Sequence, residues 1–347
     1  MYLKSDIKRD GKDQMKVVHK WYPQFSFSTN IYAENFVSNR FNGERYGLLF
    51  SGGVDSLTSF IRHKDKHPDL FTVWGADIPV YENDFWRKVR NRISFFASQE
   101  GLNVHFIKTN MKQLLNQRLL ARDYKLEGWW GPVSHGLMLL GLVAPLTTKG
   151  IGTVLIASPG RGIKDDAVNL LIDSNVSWAD VRVIVDGYDL SRHEKIKYII
   201  KHPEYLSSLR VCYSQHSNYN CGRCEKCLRT ITALVLEGID PKNCNFDVDE
   251  KIFRYIKDCL VKGKLKLLED EIFMWRDIQK HIPEQYNNDM PGSKEFFMWF
   301  KGFDLSKYQM NKLRHLLWTI SYIIAEKEVM ETIKKAPSFI VRRLRLR

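Results

Sequence analysis

No cysteine occurs in the first 211 residues of this 347-residue chain, and no Gly-Lys-Ser/Thr ending follows its glycine turn. The second absence removes the lysine that holds β- and γ-phosphates in a Walker A loop, so that class of nucleotide site is excluded. The longest apolar stretches, Gly136–Leu146 and Leu316–Ala325, are too short to span a bilayer. The first residues, Met1 to Lys12, are polar and charged and lack the apolar core of a secretion signal. A cytoplasmic protein without a transmembrane segment is expected, and its cysteines are then metal ligands or free thiols rather than disulfides. Low-complexity segments and internal repeats are also missing. Apolar content of 44% and aromatic content of 12% exclude a disordered chain. The length suits two or three units.

What is present centres on Tyr46-Gly-Leu-Leu-Phe-Ser-Gly-Gly-Val-Asp-Ser56. The apolar run Tyr46–Phe50 reads as a buried strand, and Leu57–His63 has helical spacing. Between them Gly52 and Gly53, flanked by Ser51 and Ser56, let backbone N–H groups approach an anion. The start of the following helix favours negative charge at the same place. A phosphate cradle is expected; a plain strand-to-helix turn is the simpler alternative.

Further strand patterns at Phe71–Ala76, Val104–Ile107, Thr153–Ala157 and Val181–Val185 alternate with helical ones at Phe85–Gln99 and Ser134–Leu146. Such alternation predicts an α/β fold, a Rossmann-like parallel sheet with helices on both faces. Ligands of such sheets sit at the carboxyl ends of the strands. Asp77, just past the second strand, is either a ribose or adenine contact or a turn cap. Residues 1–44 form an N-terminal extension with one plausible strand near Met15–Trp21. Residues 45–245 form the α/β unit. From 246 to 347 helical patterns at Ile252–Leu268, Glu271–Ile282 and Lys307–Lys334 predict a helical C-terminal extension. Leu313, Leu316, Leu317, Ile320 and Ile324 mark its core-facing stripe.

Four of the six cysteines, Cys212, Cys221, Cys224 and Cys227, have the spacing C-x8-C-x2-C-x2-C. Thiolates so placed converge on one Zn²⁺, closing a tetrahedral structural site. An iron–sulfur cluster is the minor alternative. Cys244 and Cys259 read as ordinary buried residues.

Ser51-Gly52-Gly53-Val54-Asp55-Ser56 resembles the SGGxDS motif of the PP-loop ATP pyrophosphatases, of the adenine nucleotide alpha hydrolase type. The resemblance implies cleavage of ATP between its α- and β-phosphates, with Mg²⁺, and transfer of AMP to a substrate oxygen. It places Ser51, Gly52, Gly53, Val54, Asp55 and Ser56 around the pyrophosphate, with Asp55 acting on Mg²⁺ or on loop geometry. Together with the cysteine spacing, Cys212-Tyr213, Cys221-Gly222-Arg223-Cys224 and Asp240-Pro241, the motif resembles 7-cyano-7-deazaguanine synthase over residues 45–245. Lys195, in Arg192-His193-Glu194-Lys195-Ile196, is similar to a lysine of that family and joins Ser51, Asp55 and Ser56 as an implied catalytic residue. The family adenylates a carboxylate, admits ammonia and converts the resulting amide to a nitrile. The chain departs from it at Ser134-His135-Gly136, where the family has an Arg-Asn pair. It also departs around Gly160–Ser174 and at Glu225-Lys226-Cys227. It is more similar to divergent relatives in anti-phage defence operons and biosynthetic gene clusters, some of which are thought to attach a deazaguanine to a protein.

The expected substrate is therefore a small carboxylate or amide of 7-deazaguanine type, with a protein acceptor or operon partner. His135, Arg161 and Lys164 are candidate substrate or phosphate contacts, though Arg161, Lys164 and Lys195 each also read as solvated surface charges. Asp165-Asp166 is a metal or amine site or a helix cap. The net charge of +13 is uneven: residues 251–347 hold 20 Lys/Arg against 12 Asp/Glu, concentrated at Val341–Arg347. That end could meet RNA, an acidic partner or an anionic membrane. Rival readings are a tRNA-modifying PP-loop enzyme, a sulfate-activation reductase, a nucleotide-binding regulatory subunit and a sugar-carboxylate amidotransferase. The late position of all the cysteines weighs against sulfur delivery to tRNA. No catalytic C-terminal cysteine supports the reductase.

Overall fold

The computed structural model describes residues 38–308 apart from 125, 127, 164–169 and 213–218, together with His19 and Pro23. The expected strand at Met15–Trp21 apart from His19, the helical stripe beyond Lys307, the basic end Val341–Arg347, Lys164 and Asp165-Asp166 lie outside these residues.

Six strands form one sheet: β1 (Arg45–Leu49), β2 (Asp69–Trp74), β3 (Val104–Lys108), β4 (Ile151–Ala157), β5 (Ser177–Trp178) and β6 (Val181–Asp186), in the order β3-β2-β1-β4-β6-β5. All pairs are parallel except the two-residue edge strand β5, which runs antiparallel to β6. β1 lies between β2 and β4, with Leu48 opposite both Leu70 and Leu155. From β1 the chain moves outward to β2 and β3, then returns to β4 on the other side. The strand order thus reverses at β1, the place where sheets of this kind bind ligands beyond the carboxyl ends of their strands.

Successive side chains of a strand point to opposite faces, and the core divides accordingly. Leu48, Phe50 and Leu155 enter one cluster, while Leu49, Val154 and Ile156 enter the other. The first face is covered by α1 (Val54–His63), α2 (Asn83–Gln99), α5 (Arg192–Ile199) and α6 (Glu225–Leu236). Between α2 and this face, Phe50 stacks on Phe96 at 5.0 Å. A short α3 (Gln117–Asp123) precedes α4 (His135–Val143), which covers the second face through Leu139, Leu140 and Val143. The expected helix Ser134–Leu146 is a wide π turn at Trp130–Ser134, then α4, then a 3₁₀ stretch that ends at Gly150 with φ +90°.

Past residue 245 come α7 (Ile252–Val261), α8 (Glu269–Lys280) and α9 (Ser293–Lys301). The first stops short of the expected Leu268 because Gly263 turns left-handed at φ +58°, and Lys264 N–H caps the Cys259 carbonyl at 2.8 Å. The last follows Gly292 at φ +73°, where the sequence suggested only punctuation. These helices share the first core cluster, which runs from Leu48 through Trp275 and Phe300 to Leu305. The change of pattern near residue 245 therefore marks no break in that core. Among the described residues, no helix is long and apolar enough to cross a membrane.

Candidate active site and metal centre

The loop after β1 lies at the sheet's reversal. Gly52 adopts φ +74°, a conformation that L side chains rarely take, and an added Cβ would stand 3.3 Å from the Ser208 carbonyl oxygen. Ser51 and Ser56 close the loop on itself. Ser51 N–H donates to Ser56 Oγ at 3.2 Å, Gly53 N–H donates to Ser51 Oγ at 3.3 Å, and Ser56 Oγ donates to the Gly53 carbonyl at 3.3 Å. Gly53 is the N-cap of α1 and has no side chain to cap it. The first N–H groups of α1 thus have no intrahelical partner, and they gather at Val54–Ser56.

Asp55, in that first turn, is held by two cations from α5. Its Oδ2 accepts from Arg192 Nη1, and its Oδ1 accepts from Lys195 Nζ at 3.2 Å. Lys195 is fully buried, so it is not the solvated charge that its polar neighbours suggest. Its ammonium also donates to the Ser158 carbonyl at 2.5 Å, just beyond β4. Gly160 and Gly187 lie against it: an added Cβ on either would stand 3.5 Å from Lys195 Nζ. Burial pushes the Asp55 carboxyl up, but Arg192 and then Lys195 outweigh it and hold the pKa below its ordinary value. The three groups carry a net positive charge beneath the turn. A capping box positions α5, with Glu194 N–H donating to Ser191 Oγ and Ser191 N–H donating to Glu194. Glu194 also accepts both hydrogen bonds of Arg161, at 3.0 and 2.9 Å. Arg161 is therefore a partner of this cap, not of the loop.

Asp77, just past the carboxyl end of β2, and His135 lie within electrostatic reach of each other. Solvent reaches Asp77, yet Lys226, His135, Arg210 and Lys112 surround it closely enough to outweigh its burial and lower its pKa. Lys112 donates to the Ala76 carbonyl at 3.0 Å and lies 4.3 Å from the Trp130 ring centre; His135 meets the same ring edge-on at 5.2 Å. Burial lowers the pKa of His135, with Asp77 opposing and Lys112 and Lys226 reinforcing. Sequence reasoning missed Arg192, Arg210 and Lys112. Only Arg192 carried a signal, as the first residue after a Ser-x-x-Glu cap.

The four predicted metal ligands converge. The sulfurs of Cys212, Cys221, Cys224 and Cys227 all lie within 4.8 Å of one another, with Cys212 to Cys224 at 4.0 Å and Cys221 to Cys227 at 3.8 Å. A tetrahedral ion with bonds of about 2.3 Å to sulfur needs separations of about 3.8 Å, so the four thiols can hold a metal such as zinc. Arg223 and Cys224 N–H groups donate to Cys221 Sγ, at 3.4 and 3.2 Å, as thiolate ligands require. Gly222 permits this turn at φ +63°, where a Cβ would stand 2.8 Å from the Asp247 carbonyl oxygen. The crowded sulfurs perturb one another. Cys212 is driven well down, with Cys221 the foremost cause, while Cys227 is driven up, chiefly by Cys212.

The two sites are joined through Leu209–Cys212. Arg210 N–H donates to the Gly52 carbonyl at 2.7 Å. Buried Asn220 accepts from Val211 N–H at 2.9 Å and donates to the carbonyls of Leu209 and Cys244, at 2.9 and 3.2 Å.

A scan against protein-family models finds no match to the chain, and a search of curated proteins finds none either.

Proposed function

We propose that the chain is an ATP-dependent adenylating enzyme that splits ATP into AMP and pyrophosphate to activate a carboxylate or amide. The observation that carries this reading is the Asp55–Arg192–Lys195 group beneath a glycine turn at the reversal of a parallel sheet. The triphosphate lies over Ser51–Ser56, against the free N–H groups of α1 and the net positive charge behind them. The nucleoside extends along the sheet edge towards Phe71–Asp77. A substrate carboxylate oxygen attacks the α-phosphorus as the α–β bridging bond breaks, and pyrophosphate leaves with the electron pair. A nitrogen nucleophile then attacks the acyl carbon and AMP departs. The residues position these groups and stabilise charge.

Mg²⁺, when bound with ATP, offsets the phosphate charge. Each carboxylate oxygen of Asp55 accepts from a cation of α5. Asp55 serves loop geometry. Zinc closed by Cys212, Cys221, Cys224 and Cys227 leaves no open position and is structural. The substrate reading is a 7-deazaguanine-type carboxylate or amide beside Asp77 and His135, giving an amide, a nitrile or a conjugate with a protein.

Isotope exchange between labelled pyrophosphate and ATP, with candidate carboxylates present, tests the first step. Exchange in the wild-type chain and its loss in Asp55→Ala are expected. The reading fails if no carboxylate drives AMP formation and Asp55→Ala leaves the protein's cellular role intact.

A further inference from the structure

Arg210 is a buried arginine that forms no ion pair within contact distance among the described residues. It is 6% exposed, and its Nε has no hydrogen-bond partner among the described residues. No carboxylate pairs with it there; its guanidinium lies 5.5 Å from the Phe85 ring centre and within the electrostatic reach of Asp77. Burying an unpaired guanidinium is costly, and Arg is matched to planar, two-point recognition of oxyanions. The backbone of the same residue is pressed against the glycine turn. Arg210 N–H holds the Gly52 carbonyl at 2.7 Å, and a Cβ on Gly53 would stand 3.5 Å from the Arg210 carbonyl oxygen. The side chain thus starts at the Ser51–Ser56 loop and runs towards Asp77 and Phe85, at the start of α2. The same glycine turn opens α1, whose first N–H groups no side chain caps.

We infer that Arg210 is a phosphate-binding residue: its guanidinium takes an oxyanion of the nucleotide held by the Gly52–Gly53 turn. It supplies the cation that a Walker lysine would bring, from a loop two residues before the first metal ligand. This assignment rests on the adenylation reading for the ligand.

Calorimetric titration of the full chain with ATP, AMP and inorganic pyrophosphate tests it, in wild type, Arg210→Met, Arg210→Lys and the surface control Arg87→Met. Loss of one charge-assisted contact predicts about a 10- to 100-fold weaker Kd for ATP in Arg210→Met. Arg210→Lys falls between, and Arg87→Met matches wild type. Metal content and melting temperature are measured on each variant; if Arg210→Met fails to fold, Arg210→Lys carries the comparison. Weakening confined to AMP assigns the α-phosphate, and weakening confined to pyrophosphate assigns the leaving group; either supports the inference. Folded Arg210 variants that bind all three ligands like wild type overturn it while leaving the adenylation reading standing. A wild-type chain that binds none of them overturns both.

Discussion

Lys195 Nζ stands 3.2 Å from Asp55 Oδ1 with the lysine fully buried, so a carboxylate of the turn and an ammonium of α5 are locked across the sheet edge. Removing one partner of such a pair leaves an uncompensated charge. Asp55→Ala strands both Lys195 and Arg192 and is expected to destabilise by about 3–5 kcal/mol. Lys195→Met leaves Asp55 still paired with Arg192 and is expected to cost less, about 1–3 kcal/mol. Urea unfolding of the two variants and the double mutant checks the order. Equal, near-zero effects would contradict the geometry.

Gly187 has φ +77°, and an added Cβ would meet Lys195 Cε at 3.3 Å. Gly187→Ala is expected to lose about 1–2 kcal/mol to backbone strain alone. Contact with Lys195 adds to this. Combining it with Lys195→Ala should relieve the contact but not the strain, so the double variant's penalty is smaller than the sum of the two single penalties.

Elemental analysis should find about one zinc per chain. Cys227→Ser, which removes a fully buried ligand, should lose it and lower the melting temperature. The remaining thiols should be silent in the native protein. Cys259 is buried, and burial foremost pushes buried Cys244 up to about 12. Thiol titration is therefore expected to count none natively and all six after denaturation with a chelator.

The acid limb of stability should depend on Asp55. Its folded pKa lies below the ordinary 3.8. The stability it contributes is thus fully present above about pH 3.8 and lost as pH falls further through the folded value. His135 acts earlier. Its folded pKa lies below the ordinary 6.5, so the unfolded chain takes the proton first and stability falls once pH drops below about 6.5. Acid denaturation of His135→Gln should be flatter near pH 6, and that of Asp55→Asn flatter below pH 4.

The glycine turn, the strand–helix alternation and the cysteine set were legible because each depends on local pattern. Gly52–Gly53 is a backbone requirement, strands announce themselves by apolar runs, and C-x2-C spacing fixes how closely sulfurs can meet. The environment of Lys195 was not legible. Arg192-His193-Glu194-Lys195 reads as a wet surface, and the burial of Lys195 comes with contacts to Asp55 and Ser158, distant in sequence, that only the folded chain makes. Arg210 was hidden for the same reason: only the folded chain shows that its guanidinium lacks a partner. Arg161 looked available, yet Glu194 occupies it. The helix ends past residue 245 depended on left-handed glycines, whose conformation the apolar period does not report.

The hydrogen bond from Arg210 N–H to the Gly52 carbonyl ties the segment leading into the cysteine cluster to the glycine turn. Equilibrium linkage then has a direction-free consequence. If ordering Cys212–Cys227 around zinc steadies the turn, a ligand seated on the turn must tighten zinc by the same factor. A cell short of zinc, or oxidising its thiols, would disarm the turn without touching any residue in it. Under the proposed function, a nucleotide-rich cell would shelter a metal held there from chelators.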